Sequence, residues 1–246
     1  STGDSTFYRF DNARVDMVNT GEIGLRTKLN TGDISHQFVL AASAFQLNSR
    51  NAYIMDFANQ YTNNLYMPVQ YDQPLATSPV YSGNELNSPK LTTRTRLRSI
   101  AIGDNLKALD DRLNLMFGGR YQTIMQDNYA YSNGEKTAYD ESKFTPVLGV
   151  SYKLTPEISV YGNYIESLAK GLSNTNNGTT TTLKPFVAKQ KEIGTKYENG
   201  TFGASLSLFD INKQRAVIQN QVFSDAGEYV HRGVELNTYG KLTDAI

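Results

Sequence analysis

Apolar and polar residues alternate with a period of two along most of the chain, and apolar residues at helical spacing are almost absent. In residues 20–29, Ile23, Leu25 and Leu29 fall on one face and charged side chains on the other. Turn residues separate the segments that show this alternation. These segments are residues 20–29, 34–53, 92–102, 112–131, 144–153, 158–168, 189–197, 201–213 and 229–240. The pattern predicts an all-β protein, and several of its strands exceed the roughly 5–6 residues typical of globular sheets.

The connections between these predicted strands alternate between short and long. The short connections are residues 30–33, 104–111, 154–157 and 198–200, and the long ones are residues 54–89, 132–142, 169–188 and 214–228. Asn199 and Gly200 form a strong hairpin signal in the last short connection. Each strand therefore reverses direction and the long loops gather at one end, which predicts an up-and-down antiparallel meander. Among proteins that span membranes, this pattern is typical of outer-membrane barrels.

Charged side chains lie on the polar face of the predicted strands. They include Arg94, Arg96, Arg98, Arg120, Glu192 and Glu235. Unpaired ionised groups are costly inside a small sandwich, whereas a lumen filled with water or protein solvates or pairs them. We therefore predict that these six residues are lumen charges and that the apolar face meets lipid. The three arginines either steer an anion or form a structural ladder paired with acids, and the ladder is the preferred interpretation.

The composition removes several classes of protein. The chain has 246 residues, 24 Lys and Arg against 24 Asp and Glu, and no cysteine. This balance argues against a nucleic-acid binder with a basic face, and the lack of cysteine excludes thiol nucleophiles and disulfide scaffolds. A G-x-S-x-G motif is absent and no histidine lies near a promising serine, so we expect no enzyme. His36 and His231 lie on separate strands, so we expect no metal bound by the protein itself.

Five stretches of the chain match, in order, the sequence motifs of one protein family. Residues 115–122 are similar to an L-x-x-G-x-R-Y strand, and residues 143–168 to an F-T-P-x-x-G-x-x-Y-K hairpin. Residues 183–197 resemble L-x-P-x-x-S-x-Q-x-E-x-G-x-K-Y, residues 208–213 resemble L-F-x-I-x-K, and residues 227–240 resemble G-x-x-x-x-R-G-V-E-L-x-x-x-G. From about residue 104 onward the chain therefore resembles the TonB-dependent ferric-siderophore receptors of the outer membrane, and five matches in sequence make the resemblance specific.

The resemblance implies a 22-stranded barrel filled by an N-terminal plug, in the outer membrane of a Gram-negative bacterium. It implies a ferric siderophore, outer-membrane lipid and, through the plug, the TonB complex as partners, with no nucleic acid. Iron would arrive already chelated, so no cofactor is expected. Nine predicted strands are an odd number, whereas bacterial single-chain barrels have an even number. We therefore expect residues 1–246 to be an internal part of the barrel domain, with the plug and terminal strands outside it.

The aromatic residues of two long loops are the candidate ligand site. They are Tyr53, Phe57, Tyr61, Tyr66, Tyr71, Tyr81, Tyr129, Tyr131 and Tyr139. The first loop carries Asp56, Asp72 and Glu85, and its residues 51–89 include no lysine or arginine. Such an aromatic, mildly acidic funnel would repel an anionic tris-catecholate complex and accept a neutral ferric hydroxamate of the ferrichrome type. A passive porin-like barrel and a soluble β-rich binding protein remain the alternatives.

Overall fold

The computed structural model describes residues 2–72, 81–176 and 179–241, and of Tyr81 and Thr179 it describes the backbone only. These residues form strands and contain no helix. The strands are β1 (Asp4–Thr31), β2 (Ile34–Asn64), β3 (Tyr81–Gly83), β4 (Lys90–Ala108), β5 (Leu113–Tyr129), β6 (Lys136–Lys153), β7 (Ile158–Ala169), β8 (Ser173–Asn176), β9 (Thr179–Thr182), β10 (Phe186–Glu198), β11 (Phe202–Gln219) and β12 (Val222–Gly240). Within this part of the chain, nothing helical is long and apolar enough to cross a membrane.

The long strands follow one another in a single sheet in chain order, β1-β2-β4-β5-β6-β7-β10-β11-β12. The short strand β3 pairs with β2, and β8 and β9 form a separate hairpin. The registers of the β6–β7, β7–β10, β10–β11 and β11–β12 pairs are antiparallel. The prediction of an all-β, up-and-down meander of nine long strands is confirmed for the described residues.

The strand ends differ from the prediction at the first strand. It was expected to begin at Thr20, but β1 begins at Asp4. The strands around the predicted loops are also longer: β2 runs to Asn64 and β6 begins at Lys136. Backbone hydrogen bonds to a neighbouring strand hold these extensions in place, although their side chains lack a clean apolar–polar alternation.

The prediction of a long loop at residues 214–228 is wrong. Strand β11 continues to Gln219 and β12 begins at Val222, so only Asn220 and Gln221 form the turn. Both residues have positive φ, 49° and 65°. Two consecutive residues with positive φ are what a tight type I′ hairpin turn requires, and here the turn forms without glycine. The strict short–long alternation therefore fails at this last connection.

The chain forms two compact units. The first contains Ser1–Thr20, Phe45–Arg96 and Met125–Tyr139, and the second contains Gly21–Ala44, Leu97–Ile124 and Asp140–Ile246. In the second unit, Val150, Gly162, Ile193, Leu208 and Val234 lie side by side in register on one face of the sheet. Ile193 and Val234 are 62% and 67% exposed. We call this the apolar face, and the opposite side, which carries Glu192, Ser207 and Glu235, the polar face.

The sheet has little buried apolar core. Among the described residues, the buried apolar side chains are Ala52, Ile124, Tyr139, Phe186 and Val187. A soluble domain buries one face of each sheet against a second layer. Here the larger apolar side chains of the second unit remain on an open face.

Candidate functional site

Aromatic side chains of the first unit are in contact with one another as ring pairs. The pairs are Tyr8–Phe57 with 4.6 Å between ring centroids, Tyr53–Tyr131 with 4.9 Å, Tyr61–Tyr71 with 5.1 Å and Phe7–Tyr61 with 5.8 Å. These distances lie in the range of attractive aromatic contacts. The Tyr71 hydroxyl also donates to the carbonyl of Thr62 at 2.6 Å, which fixes this ring beside Tyr61.

A pocket of about 480 Å³ opens beside these rings. Its walls include Tyr8, Arg9, Asp11, Tyr61, Tyr71 and Asp72. The Arg9 guanidinium is held by Asp11, with 2.6 Å between Nη2 and Oδ2. One positive and two negative side chains give these walls a formal charge of −1. We call this the first-unit pocket.

Five of the nine predicted ligand residues belong to the ring pairs: Tyr53, Phe57, Tyr61, Tyr71 and Tyr131. The others are dispersed. Tyr66 is exposed and its ring lies against Gly3, Tyr139 is buried, and Tyr129 is half-buried with no ring pair among the described residues. The side chain of Tyr81 lies outside the described residues.

Sequence reasoning missed the contribution of the first strand to this pocket. Tyr8, Arg9, Phe10 and Asp11 line it, yet residues 1–19 were not assigned to any strand. One available signal was the run from Asp4 to Thr20, which contains no glycine or proline and holds several aromatic and β-branched residues.

Asp56, expected as a loop acid, is instead completely buried within β2. Its carboxylate accepts hydrogen bonds from the backbone N–H of Asn59 at 3.2 Å and from Asn59 Nδ2 at 2.8 Å. This acid therefore supports the local fold, and the acidic character of the first-unit pocket comes from Asp11 and Asp72.

The arginines of β4 in the first unit have specific partners. Arg94 Nε donates to Asn48 Oδ1 at 3.0 Å. Arg96 Nη2 lies 2.9 Å from Asp127 Oδ2, and Lys136 Nζ lies 3.4 Å from the other oxygen of this buried carboxylate. The pairing of Arg96 with an acid of the neighbouring strand is what a structural ladder predicts.

Arg98 lies on the other side of the sheet from the one predicted. It alternates in phase with Ile100 and Ile102, which are exposed apolar residues, whereas the intervening Ser99 hydrogen-bonds to Ser43 at 2.8 Å. The prediction grouped Arg94, Arg96 and Arg98 by the same period of two that places Arg98 in phase with the two isoleucines. Arg120 alternates with Tyr121 of the apolar face and so lies on the polar face.

The polar face of the second unit holds Glu192 and Glu235 in hydrogen-bonded pairs. The Tyr161 hydroxyl donates to Glu192 Oε1 at 2.7 Å, and Gln190 Nε2 donates to Oε2 at 3.2 Å. Asn237 Nδ2 donates to Glu235 Oε1 at 3.1 Å. The two glutamates lie on strands β10 and β12, on either side of the buried Ser207 of β11.

The family model for the TonB dependent receptor-like beta-barrel matches residues 1–245. The chain belongs to this family. The resemblance inferred from five motifs is therefore confirmed, and it extends to the first 103 residues, where the motifs were lacking. The strand order and the open apolar face of this receptor-barrel chain agree with that assignment.

Two relatives and one solved structure show how the receptor-barrel chain compares with known proteins. The ferrichrome receptor FcuA of Yersinia enterocolitica is 30% identical over 256 residues, which cover 98% of the chain and 32% of FcuA. The metal-pseudopaline receptor CntO of Pseudomonas aeruginosa is 23% identical over 92% of the chain and 32% of its own length. The structure of BauA, the ferric preacinetobactin receptor from Acinetobacter baumannii, has a TM-score of 0.79 and 26% identity over 99% of the chain and 36% of BauA. The chain thus spans about a third of the length of these relatives.

The described part of the receptor-barrel chain holds no group of three or more His, Asp or Glu residues that could ligate a metal ion. His36 Nδ1 instead lies 2.7 Å from Asp104 Oδ2, and the other oxygen of Asp104 accepts the backbone N–H of Gln37 at 3.1 Å. His231 lies beside the ring of Tyr229, 6.4 Å between centroids. Both histidines are thus engaged in local packing.

Proposed function

We propose that this chain is part of the barrel of an outer-membrane receptor that takes up a ferric siderophore with energy supplied through the TonB complex. The observation that carries the proposal is the match of the family model to residues 1–245. The exposed apolar face supports contact with outer-membrane lipid, because apolar rows of this kind suit the hydrocarbon layer. Transport, and no enzymatic reaction, is the activity we assign.

The ligand we propose is a ferric hydroxamate of the ferrichrome type. The walls of the first-unit pocket are aromatic and carry a formal charge of −1, so they disfavour a strongly anionic tris-catecholate complex more than a neutral one. The 30% identity to a protein named as a ferrichrome receptor supports the same choice. The receptors named for metal-pseudopaline and for ferric preacinetobactin are less similar in sequence, at 23% and 26% identity.

A binding titration of the complete receptor tests this ligand. Purified receptor in a neutral detergent is titrated with ferrichrome and, in parallel, with ferric enterobactin, with quenching of the protein's tyrosine fluorescence as the signal. We expect saturable binding of ferrichrome and much weaker binding of ferric enterobactin. Preference for the catecholate would contradict the hydroxamate assignment while leaving siderophore uptake intact.

Growth separates active uptake from a passive pore. A strain that depends on this receptor for iron should grow on ferrichrome when TonB is present and fail to grow when TonB is deleted. Equal growth without TonB would favour the porin-like alternative. Recovery of the complete protein in the aqueous fraction without detergent would instead favour a soluble β-rich binding protein.

A further inference from the structure

Consecutive apolar residues of the first unit are presented to solvent directly after β2. They are Leu65, Tyr66, Met67, Pro68 and Val69, and we call them the 65–69 segment. The exposed fractions of its leucine, tyrosine, methionine and valine lie between 60% and 75%. Single exposed apolar residues are normal on a protein surface, whereas a contiguous group of them marks a binding surface. The 65–69 segment is therefore a candidate binding surface.

Asn64 holds the beginning of this segment in place. Its Oδ1 accepts the backbone N–H groups of Tyr66 at 2.9 Å and of Met67 at 3.1 Å. Its Nδ2 donates to the carbonyl of Thr2 at 2.9 Å and to Asp4 Oδ1 at 2.8 Å. The exposed residues are thus tied to the beginning of β1. A surface that is held in this way loses less conformational entropy on binding than a mobile one.

Asn63 holds the other end of the segment and connects it to the first-unit pocket. Asn63 Nδ2 donates to the carbonyl of Val69 at 2.7 Å, and its Oδ1 accepts the backbone N–H of Val69 at 2.9 Å. Both residues also line the first-unit pocket, together with Tyr71. The apolar surface of the segment is therefore continuous with the wall of the pocket in which we place the siderophore.

The charges around the 65–69 segment show which chemical group it suits. The segment carries no charge, and residues 51–89 include no lysine or arginine. Arg9 of the pocket wall is already held by Asp11. A phosphate or a carboxylate would gain little at such a surface, whereas a neutral apolar group would bury apolar area on it.

We propose that the ligand of the first-unit pocket is an acylated ferric hydroxamate whose apolar acyl chain lies on the 65–69 segment. The inference rests on the proposed uptake of a ferric hydroxamate and makes the ligand amphiphilic. The neutral chelate would occupy the aromatic pocket, and the acyl chain would leave it beside Val69. Each part of the ligand would then meet a surface of matching polarity, and the chain would cover apolar side chains that are otherwise exposed.

A second copy of the receptor is the alternative occupant of the segment, because exposed apolar patches also form contacts between proteins. The two occupants differ in what they require of the ligand. A contact between copies would leave the affinity for a ferric hydroxamate independent of any acyl chain. The continuity of the segment with the pocket through Asn63 and Val69 favours the ligand.

A binding titration of the complete receptor with two matched ligands tests the proposal. Ferricrocin, a ferric hydroxamate of the ferrichrome type with a serine in its ring, is esterified on that serine with an acetyl or an octanoyl group. The receptor in a neutral detergent is titrated with each ester, and quenching of tyrosine fluorescence gives the Kd. We expect the octanoyl ester to bind about ten-fold more tightly, which corresponds to burial of about two of its additional methylene groups.

Substitution of the 65–69 segment tests where the acyl chain lies. Leu65→Ser combined with Met67→Ser should reduce the preference for the octanoyl ester to about two-fold, because the apolar contact is lost. Ile218→Ser is the matched control, since Ile218 is similarly exposed, at 62%, and lies near the turn between β11 and β12. It should leave the preference unchanged. Partition of the esters into detergent is the same for every receptor, so the comparison of variants is independent of it.

Equal affinities of the two esters, or a preference that survives the double substitution, would overturn the proposal while leaving the ferric hydroxamate assignment intact. An equal loss of affinity for both esters in the double variant would overturn it as well, because the segment would then only support the pocket. Light scattering on the same samples tests the contact between copies: a dimer that the double substitution dissociates, together with equal ester affinities, would assign the segment to that contact. Failure of both esters and of ferrichrome to bind would contradict the proposed function itself.

Discussion

The ring of Tyr161 lies over Gly194, its partner in register on the adjacent strand, and its hydroxyl reaches across to Glu192 of that strand. A Cβ at Gly194 would be 2.7 Å from Cε1 and Cζ of the ring, so a side chain at this position would displace the tyrosine. The glycine therefore allows the 2.7 Å hydrogen bond between the hydroxyl and Glu192 Oε1. The two strands are linked on the polar face by this contact as well as by their backbone.

Tyr161→Phe tests the worth of that hydrogen bond. It removes the donor and keeps the ring, and we expect the free energy of unfolding to fall by about 1 kcal/mol. Urea unfolding of the complete receptor in lipid vesicles, followed by circular dichroism, measures it. Tyr152→Phe is the control, because the Tyr152 ring lies beneath the Arg112 guanidinium and that contact does not use the hydroxyl. Equal effects of both substitutions would show that the Tyr161 hydroxyl contributes nothing specific.

The positive φ angles of Asn220 and Gln221 predict that glycine improves the turn between β11 and β12. Glycine adopts this region without steric cost, and a left-handed residue other than glycine costs about 1–2 kcal/mol. Gln221→Gly should therefore raise the free energy of unfolding by about 1 kcal/mol, while Gln221→Val should lower it. The same urea experiment measures both changes. Stabilisation by valine would contradict the φ of 65° found here.

This turn also shows what the sequence could reveal and what it could not. Asn199 and Gly200 predict a hairpin by residue type, and they correctly indicated the turn between β10 and β11. Asn220 and Gln221 form a two-residue turn without that signal. Their conformation is imposed by the pairing of β11 with β12, and a local sequence pattern carries no information about that pairing.

The apolar–polar alternation predicts the strands correctly where the two faces of the sheet have different surroundings. Leu206 and Leu208 line up with Leu236 and Val234 of β12 on one face, and the prediction of a strand is correct there. At Asn59 to Tyr61 and at Arg9 to Asp11 polar and aromatic residues occur on both faces, so the period of two disappears although the strands continue. The ring pair Tyr8–Phe57 depends on the pairing of distant segments, and for that reason the contribution of Tyr8 to the candidate site was not predicted.

Substitution of the buried Asp127 carboxylate should destabilise the first unit. It is 5% exposed and is approached by Arg96 and Lys136. Asp127→Asn leaves the half-buried Arg96 without its counter-charge, and we expect a loss of about 2 kcal/mol in the free energy of unfolding. Lys136→Met should cost less than about 1 kcal/mol, because this lysine is half exposed and solvent screens the pair. A larger loss for Lys136→Met than for Asp127→Asn would show that Lys136, and not Arg96, forms the stabilising ion pair with Asp127.

Lys170, in the connection after β7, should make the free energy of unfolding depend on pH in the alkaline range. Burial lowers the pKa of its ammonium, since desolvation penalises the charged form. The unfolded chain therefore binds the proton more tightly, and stability should increase with pH between the lowered pKa and about 10.4, the ordinary value of lysine. Below that window the cost of burying the charge is fully present. Lys170→Met should remove this pH dependence, as measured by urea unfolding at a series of pH values. An unchanged pH profile would show that Lys170 titrates as it does in the unfolded chain.

Substitutions of Tyr71 should show whether its ring or its hydroxyl contributes to ligand binding. Its ring lies 5.1 Å from that of Tyr61, and its hydroxyl is already used by the carbonyl of Thr62. If ferrichrome binds in the first-unit pocket, Tyr71→Ala removes one aromatic wall and should weaken ferrichrome binding about five-fold. Tyr71→Phe keeps that wall and should bind ferrichrome almost as well as the unmodified receptor. The titration with ferrichrome measures both affinities.

Tyr239→Ala serves as the matched control for Tyr71→Ala, because Tyr239 is an exposed tyrosine of β12 and does not line the first-unit pocket. It should leave ferrichrome affinity unchanged. A loss of affinity with Tyr71→Phe as large as with Tyr71→Ala would mean that the Thr62 hydrogen bond, and thus the position of the segment around residue 71, controls binding. Unchanged affinity in both Tyr71 variants would place the ligand away from this pocket, since removing an aromatic wall from an occupied site cannot leave the affinity intact.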